Sequence, residues 1–489
     1  MSVLLSSPLP ALPIFSAAMP EIFMLGMILL IMLVDAFFKN AKKFALYFLT
    51  QLTLIISFVM TAWQFHGAIH EPSLVTFNGQ YVLDPLGCLL KCVLYLLAFM
   101  SFWYSRSYNQ NAKIQTAEFY LLTLLSVLGG MILISAHTLL ILYLGLELLS
   151  LPLYALVAIS RRRAEGSEAA MKYFVLGALA SGLLLYGMSL LYGMTGSLDL
   201  SAIACVTNTP LTSLFLVGMV LVIVAITFKL GAIPFHLWAP DVYEGSPTSV
   251  TIYVATVPKI AAFGMLCRLV LEGFPHWSMD WQEIFNVLGV VSLVGGNLMA
   301  LVQNNIKRLL AYSTIANVGF ILIALGMGVS SGAQPALFYL MVYAVSTAGV
   351  FGILLLMSRA GVDAETFEDL KGLNKRNPWM AFMLCLLLLS IAGIPPLVGF
   401  DAKFLIIYQL MGLGHFGMAI FVLIMSVIGS YYYLRVLKSM YFEEPDVLTS
   451  VKISWDLSCL MSLNGLAVLV LGIFPGVLFL LTTGLFPVA

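Results

Sequence analysis

Phe228-Lys229-Leu230-Gly231-Ala232-Ile233-Pro234-Phe235-His236-Leu237-Trp238-Ala239-Pro240-Asp241-Val242-Tyr243-Glu244-Gly245-Ser246-Pro247 is the stretch whose reading decides the fold. It interrupts an apolar run with a lysine, a Gly-x-x-Pro break and a polar loop. Upstream, 217–228 reads as a membrane helix. Downstream, 248–271 reads as another and carries Lys259. A helix that breaks at membrane depth frees backbone amides and carbonyls, which persist only if protein or internal water satisfies them. A lysine beside such a break points to an ion path inside a helical bundle.

The whole composition agrees. Of 489 residues, 61% are hydrophobic and 9% are charged, against about 25% charged in a soluble domain. Mean hydropathy is +1.02. The chain reads as all-α and polytopic in the lipid bilayer. Its net charge of zero gives no nucleic-acid footprint. Prolines 8, 10 and 13 and the lack of an early basic residue make a poor cleavable signal, so the first helix is expected to stay. Cys88 and Cys92 lie four apart, too few for a four-ligand metal site, and the other four cysteines are scattered. With no iron–sulfur, haem, flavin or nucleotide-loop spacing, no cofactor or metal is expected in this chain.

A span needs about 20 apolar residues. About fourteen such runs occur: 17–38, 44–63, 85–104, 117–135, 138–160, 169–194, 212–232, 248–271, 281–302, 306–328, 334–358, 379–411 (broken), 415–437 and 457–483. Seventeen of the 23 lysines and arginines fall in alternate connections. These are Lys39, Lys42, Lys43, Arg106, Lys113, Arg161, Arg162, Arg163, Lys307, Arg308, Arg359, Lys371, Lys375, Arg376, Arg435, Lys438 and Lys452. The positive-inside rule puts those connections in the cytoplasm and both termini outside.

The remaining basic residues lie within spans. Arg268, near a helix end, is expected to snorkel to the interface. Lys91 and Lys172 lie in the first third of their spans, where snorkelling and burial are both open. Lys259 and Glu147 are mid-span, and Lys229 and Lys403 adjoin breaks. A charge at a helix centre costs about 2.5–3.5 kcal/mol, so four such groups cost about 10–14 kcal/mol unless paired or hydrated. Static buried ion pairs are the bland reading, but three lysines and one carboxylate do not neutralise.

The break recurs. Gly231-Ala232-Ile233-Pro234 is matched by Gly393-Ile394-Pro395-Pro396, which is followed by Phe400, Asp401 and Lys403. Ala170-Met171-Lys172-Tyr173 is matched, at nearly the same offset along the chain, by Ala336-Leu337-Phe338-Tyr339. These matches suggest three N-terminal helices (1–116), a five-helix repeat (117–271), a second repeat (281–437) and a C-terminal helix (438–489). Five being odd, the second repeat is inverted, and interrupted helices in corresponding positions mark ion pathways. Ser313 falls near the position matching Glu147.

Such a row can move a proton. Burial disfavours a lysine's charged form and a nearby carboxylate restores it, so Glu147 could switch Lys229. Lys259 would be the next acceptor, through water or His236, and Lys403 would face the exit. His236 could equally be a hydrogen-bonded structural group. Moving a charge against 100 mV costs about 2.3 kcal/mol, so an ion gradient or a partner must drive it.

The stretch from Phe228 to Pro247 closely resembles subunit N of bacterial NADH–quinone oxidoreductase, respiratory complex I. Further matches are Leu144 to Leu156 around Glu147, Glu168 to Phe174, Asn305 to Ser313, and Gly393 to Lys403. The resemblance covers nearly the whole chain. It implies a proton-translocating membrane-arm subunit in the bacterial inner membrane, with both termini periplasmic, beside antiporter-like neighbours. FMN and iron–sulfur clusters are then expected in partner subunits. It implies Glu147 and Lys229 as a paired switch, Lys259 as central relay, Lys403 at the second break, and Lys172 as a possible tuner. The alternative is an Mrp-type cation/proton antiporter subunit, disfavoured by the Tyr243-Glu244-Gly245-Ser246-Pro247 run and the context of Lys259.

Overall fold

The computed structural model describes residues 13–37, 43–112, 114, 116–160, 164–205, 212–358, 364–445 and 453–486. Lys39, Lys42, Lys113, Arg161, Arg162, Arg163, Arg359 and Lys452 lie outside the described residues. In chain order the helices begin with α1 (Met19–Phe37) and α2 (Lys43–Ala68). A short hairpin follows, β1 (Leu74–Thr76) and β2 (Tyr81–Leu83). Then come α3 (Pro85–Asn111), α4 (Ala117–Ser135), α5 (Leu139–Val157), α6 (Ala164–Thr195), α7 (Leu200–Ala204), α8 (Thr212–Leu230), α9 (Trp238–Gly245) and α10 (Thr248–Arg268). The remainder is α11 (Ser278–Leu301), α12 (Ile306–Leu325), α13 (Val329–Met357), α14 (Phe367–Leu370), α15 (Leu373–Arg376), α16 (Pro378–Ala392), α17 (Val398–Gly412), α18 (Phe416–Phe442), α19 (Trp455–Ile473) and α20 (Gly476–Thr482).

Among the described residues, 13 helices are long and apolar enough to cross a membrane. The expected broken span is α16 and α17, each of 15 residues, so one crossing is built from two halves. The last expected span is shorter than the sequence suggested. It stops at Ile473, and Pro475 precedes the separate α20.

The ends follow local chemistry. Asp84 accepts from the Gly87 amide and Pro85 opens α3. Thr138, Asn305 and Asn377 cap α5, α12 and α16 in the same way. Each side chain supplies an acceptor to an amide with no partner within its helix. Small residues set the helix spacing, as expected where apolar surfaces gain little by leaving lipid. A Cβ on Gly129 would lie 2.2 Å from the Leu149 nitrogen, and one on Gly296 would lie 2.5 Å from the Ala316 nitrogen. The pairs Gly129-Gly130 and Gly295-Gly296 stand at the same offset as Ala170 and Ala336, a match that periodicity alone did not reveal. They bring α4 against α5 and α11 against α12.

Helices α10, α12 and α13 form the centre, with every residue of α10 buried. The flanks of α1, α6, α18 and α19 expose long apolar faces. Several of the basic connections, where described, meet one another. Arg435 reaches the Gln303 carbonyl beside the start of α12, the Gly372 amide bonds to the Ser439 carbonyl, and Arg106 pairs with Asp456.

One expectation is corrected. Arg268 does not snorkel. It is 4% exposed and bonded to Asp84 (2.5 Å), Glu272 (2.6 Å) and the Ile134 carbonyl (2.9 Å). Full bidentate satisfaction makes burial tolerable for a guanidinium. Lys91 likewise resolves to burial. Its Nζ lies 2.5 Å from Glu21 and 2.9 Å from the Tyr81 hydroxyl, tying α1 and the hairpin to α3.

Removing one partner of a buried pair costs about 3–5 kcal/mol. Lys91→Met strands the Glu21 carboxylate, and it is expected to lower the temperature at which the protein stays folded in mild detergent. Adding Glu21→Leu should recover much of the loss. A Lys91→Met chain as heat-resistant as the unmodified one would contradict this account.

Candidate functional site

The first break is built one donor at a time. At Gly231 the backbone turns left-handed, with φ +83°, a conformation costly for any residue with a Cβ. Both the Gly231 and Ala232 amides fall back on the Thr227 carbonyl. Trp238 Nε1 donates to the Phe228 carbonyl at 2.8 Å, and Ser292 Oγ accepts from the Ile233 amide at 3.0 Å. The Leu230 carbonyl takes Lys259 Nζ at 3.3 Å, from the buried centre of α10.

The second break repeats the pattern. Gly393 has φ +85°, and the Gly393 and Ile394 amides both fall back on the Leu389 carbonyl. The Ala392 carbonyl stands immediately before Gly393, as Leu230 stands before Gly231, and it accepts Lys403 Nζ at 2.9 Å. Lys403 also donates to Ser426 Oγ at 3.1 Å and lies 4.9 Å from the Phe320 ring. Each lysine therefore caps the C-terminal end of the helix before a break, where the backbone dipole favours a cation.

Lys229 is buried at 3% exposure. Its Nζ donates to Ser150 Oγ at 2.7 Å and to the Tyr173 hydroxyl at 3.3 Å, beside the Tyr154 and Tyr173 rings. Tyr173 stacks on Trp238 with ring centroids 4.6 Å apart, which ties the Lys229 pocket to the break. Half-buried Glu147 takes a hydrogen bond from Ser181. The expected Glu147–Lys229 contact is not a direct ion pair. Ser150, one helical turn along α5 from Glu147, receives the ammonium. Neither Ser150 nor Tyr173 was singled out from the sequence, although both adjoin residues that were.

Of the two environments open to Lys172, the structure gives the exposed one. Its side chain is 45% exposed and pairs with Glu168 and Asp241, each at 2.8 Å. Arg308 joins Asp241 and Glu244 at 3.0 and 2.7 Å, and fully buried Lys307 reaches the Ser246 carbonyl and Glu365. Lys172 thus belongs to a charged cluster with Arg308, outside the buried row. His236 is half-buried, and its Nδ1 has no hydrogen-bond partner among the described residues.

Beyond Lys259 the buried groups are hydroxyls and amides. Tyr343 donates to Thr314 and Tyr339 to Asn317, each at 2.6 Å. Asn317 contacts Ser313, which bonds to Tyr433. Phe320 stacks on Tyr339 and links this set to Lys403. A cavity of about 10 Å³ lined by Tyr339, Tyr343, Ser346 and Ser390 has room for about one water.

Residues 136–429 match the family model described as NADH:quinone oxidoreductase/Mrp antiporter, TM. The NADH-quinone oxidoreductase subunit N of Thioalkalivibrio sulfidiphilus is 46% identical over 477 residues, 97% of this chain and 98% of that protein. That of Coxiella burnetii is 47% identical over 475 residues, with 96% and 98% covered. The chain belongs to the NADH-quinone oxidoreductase subunit N family. Among solved structures, a chain of respiratory complex I from Thermus thermophilus with bound aureothin superposes with TM-score 0.79 at 30% identity, covering 94% of this chain and 98% of that one. A chain of the Mrp complex from Dietzia sp. DQ12-45-1b gives TM-score 0.85 at 20% identity, with 96% of each covered, which shows a common fold.

The two glycines provide a contrast. A Cβ on Gly393 would lie 2.7 Å from Lys403 Cδ, whereas one on Gly231 meets nothing nearer than 3.8 Å. Both substitutions to alanine carry left-handed strain of about 1–2 kcal/mol. Gly231→Ala is expected to lower abundance while sparing transport per assembled molecule, and Gly393→Ala to lower both. Equal transport per molecule in the two variants would show that the Lys403 contact is dispensable.

Proposed function

We infer that this chain is a membrane-arm subunit of NADH–quinone oxidoreductase, assembled with other membrane-arm subunits, and that it carries protons through its buried row. Near full-length identity to subunit N proteins supports the first part. For the second, the observation that carries the reading is a contrast between two kinds of buried cation.

Lys91, Arg268 and Lys307 each lie against a carboxylate. Lys229, Lys259 and Lys403 have, among the described residues, only hydroxyls, carbonyls and rings as partners. A carboxylate fixes its partner's charge. A hydroxyl accepts from an ammonium and can rotate to donate to a neutral amine. The second environment accommodates either protonation state, as a relay requires. The buried hydroxyls of Thr248 and Ser249, which have no hydrogen-bond partner among the described residues, offer sites for internal water.

In this reading Glu147 biases Lys229 through Ser150, Lys229 passes a proton to Lys259, and Lys403 exchanges with the far side. His236 serves as a side relay, and Lys172 acts only at a distance, through the charged cluster. Redox energy comes from partner subunits holding FMN and iron–sulfur clusters. The whole is a translocase of the bacterial inner membrane. The basic connections face the cytoplasm and both termini face the periplasm. The Mrp-type reading shares the fold but lacks support of comparable identity.

A tagged copy should migrate on native gels with a very large NADH-oxidising assembly. Migration in a small inactive assembly, with intact complex elsewhere on the gel, would overturn the subunit reading. Within assembled complex, Glu147→Ala and Lys229→Ala should remove most proton pumping. Lys229→Arg should fail too, because arginine keeps its proton. Ser150→Ala removes one hydrogen bond to a charged group, about 1.5–3 kcal/mol, and should slow pumping by about tenfold or more. Normal pumping in these variants at normal abundance would exclude the relay.

A further inference from the structure

We propose that the basic end of α18 carries a headgroup site for a zwitterionic aminophospholipid. Phe416, Ile420, Leu423, Val427, Tyr431 and Leu434 are exposed along one face of α18 at spacings of three or four residues. From Phe416 to Leu434 this stripe is about 27 Å long at 1.5 Å per residue, close to the hydrocarbon thickness of about 30 Å. The next turn of the helix, with Arg435 and Lys438, therefore lies at headgroup depth.

A cavity of about 1000 Å³ opens there, lined by Arg435, Lys438, Glu368, Glu443, Asn304 and Ser439. Its charges are unequally engaged. Arg435 is committed to the Leu301 and Gln303 carbonyls, to Asn304 and to the Phe367 ring. Lys438 is exposed and has no ion pair or hydrogen bond with any described residue. Glu368 is 76% exposed, with Lys371 no nearer than 4.0 Å. Glu443 accepts only from Ser439, at 3.0 Å, among the described residues.

An uncommitted cation and two accessible carboxylates beside one apolar stripe match a headgroup with a phosphate and a primary ammonium. The phosphate meets Lys438, the ammonium meets Glu368 and Glu443, and the acyl chains follow the stripe. A quaternary amine has no N–H to give the carboxylates, and a glycerol headgroup has no cation. The site selects by the ammonium, and it stands apart from the proton row, so it does not depend on pumping.

The test uses intact complex reconstituted into vesicles containing photoreactive phosphatidylethanolamine, phosphatidylcholine or phosphatidylglycerol, with the labelled segment of α18 read by mass spectrometry. The ethanolamine lipid is expected to label residues 431–443 most strongly. Lys438→Gln should reduce that label by about fivefold, the equivalent of one exposed ion pair at about 1 kcal/mol. Glu368→Gln with Glu443→Gln should bring ethanolamine and choline labelling together. NADH oxidation in the same vesicles should be unchanged and reports assembly. Equal labelling by all three lipids, or labelling indifferent to Lys438→Gln, overturns the proposal. So does a photocrosslinker at Leu434 that captures a neighbouring subunit, which would make this face a protein interface.

Discussion

Two helices end inside the bundle at left-handed glycines, and each leaves a buried carbonyl that must find a donor inside the protein. The Leu230 and Ala392 carbonyls find lysine ammonium groups. Much of the interior follows from that constraint. A lysine that must reach a carbonyl has to lie on a buried helix, so its surroundings must tolerate its charge. The surroundings do so with hydroxyls and aromatic rings. Trp238 ties the first break to Tyr173, and Tyr173 reaches Lys229, so the backbone interruption and the buried lysine form one connected structure.

The contrast between buried cations runs along the bundle. Toward its two ends, Lys91, Arg268 and Lys307 hold helices together through carboxylates. Between them, the lysines of the row have neutral partners. Replacing a neutral partner by a carboxylate would strengthen the local contact and fix the charge. Stability and switching therefore ask for opposite partners, and the chain separates them in space.

The breaks, the crossing count and the lysine row were legible in the sequence because each rests on local or one-dimensional signals: Gly-x-x-Pro, apolar length, and charge inside an apolar run. Partner choice was not. Arg268 looked like a snorkelling residue because its acceptors, Asp84 and Ile134, are contributed by segments far away in the chain. Burial and exposure were both open for Lys172 because its position in an apolar helix does not say which neighbour it faces, and Asp241 of α9 settles it. The Glu147–Lys229 relation was visible as two charges, while the serine that stands between them depends on the rotation of α5 against α8. The hairpin β1–β2 was missed because three-residue strands carry no period.

The two breaks match in their backbone and differ in their side chains, and the difference gives them separate characters. Lys259 reaches its carbonyl from the following helix, so the first break is pinned to the rigid centre α10. Lys403 reaches its carbonyl from the half-helix immediately after the break, so the second cap travels with α17. With Gly231 aligned on Gly393, the position matching Lys403 in the first repeat is Asp241, which turns outward to Lys172 and Arg308. One exchange of charge thus holds α9 toward the charged surface and draws α17 toward the buried row. The first break is thereby anchored to the central α10 through Lys259, and the second is closed locally by Lys403.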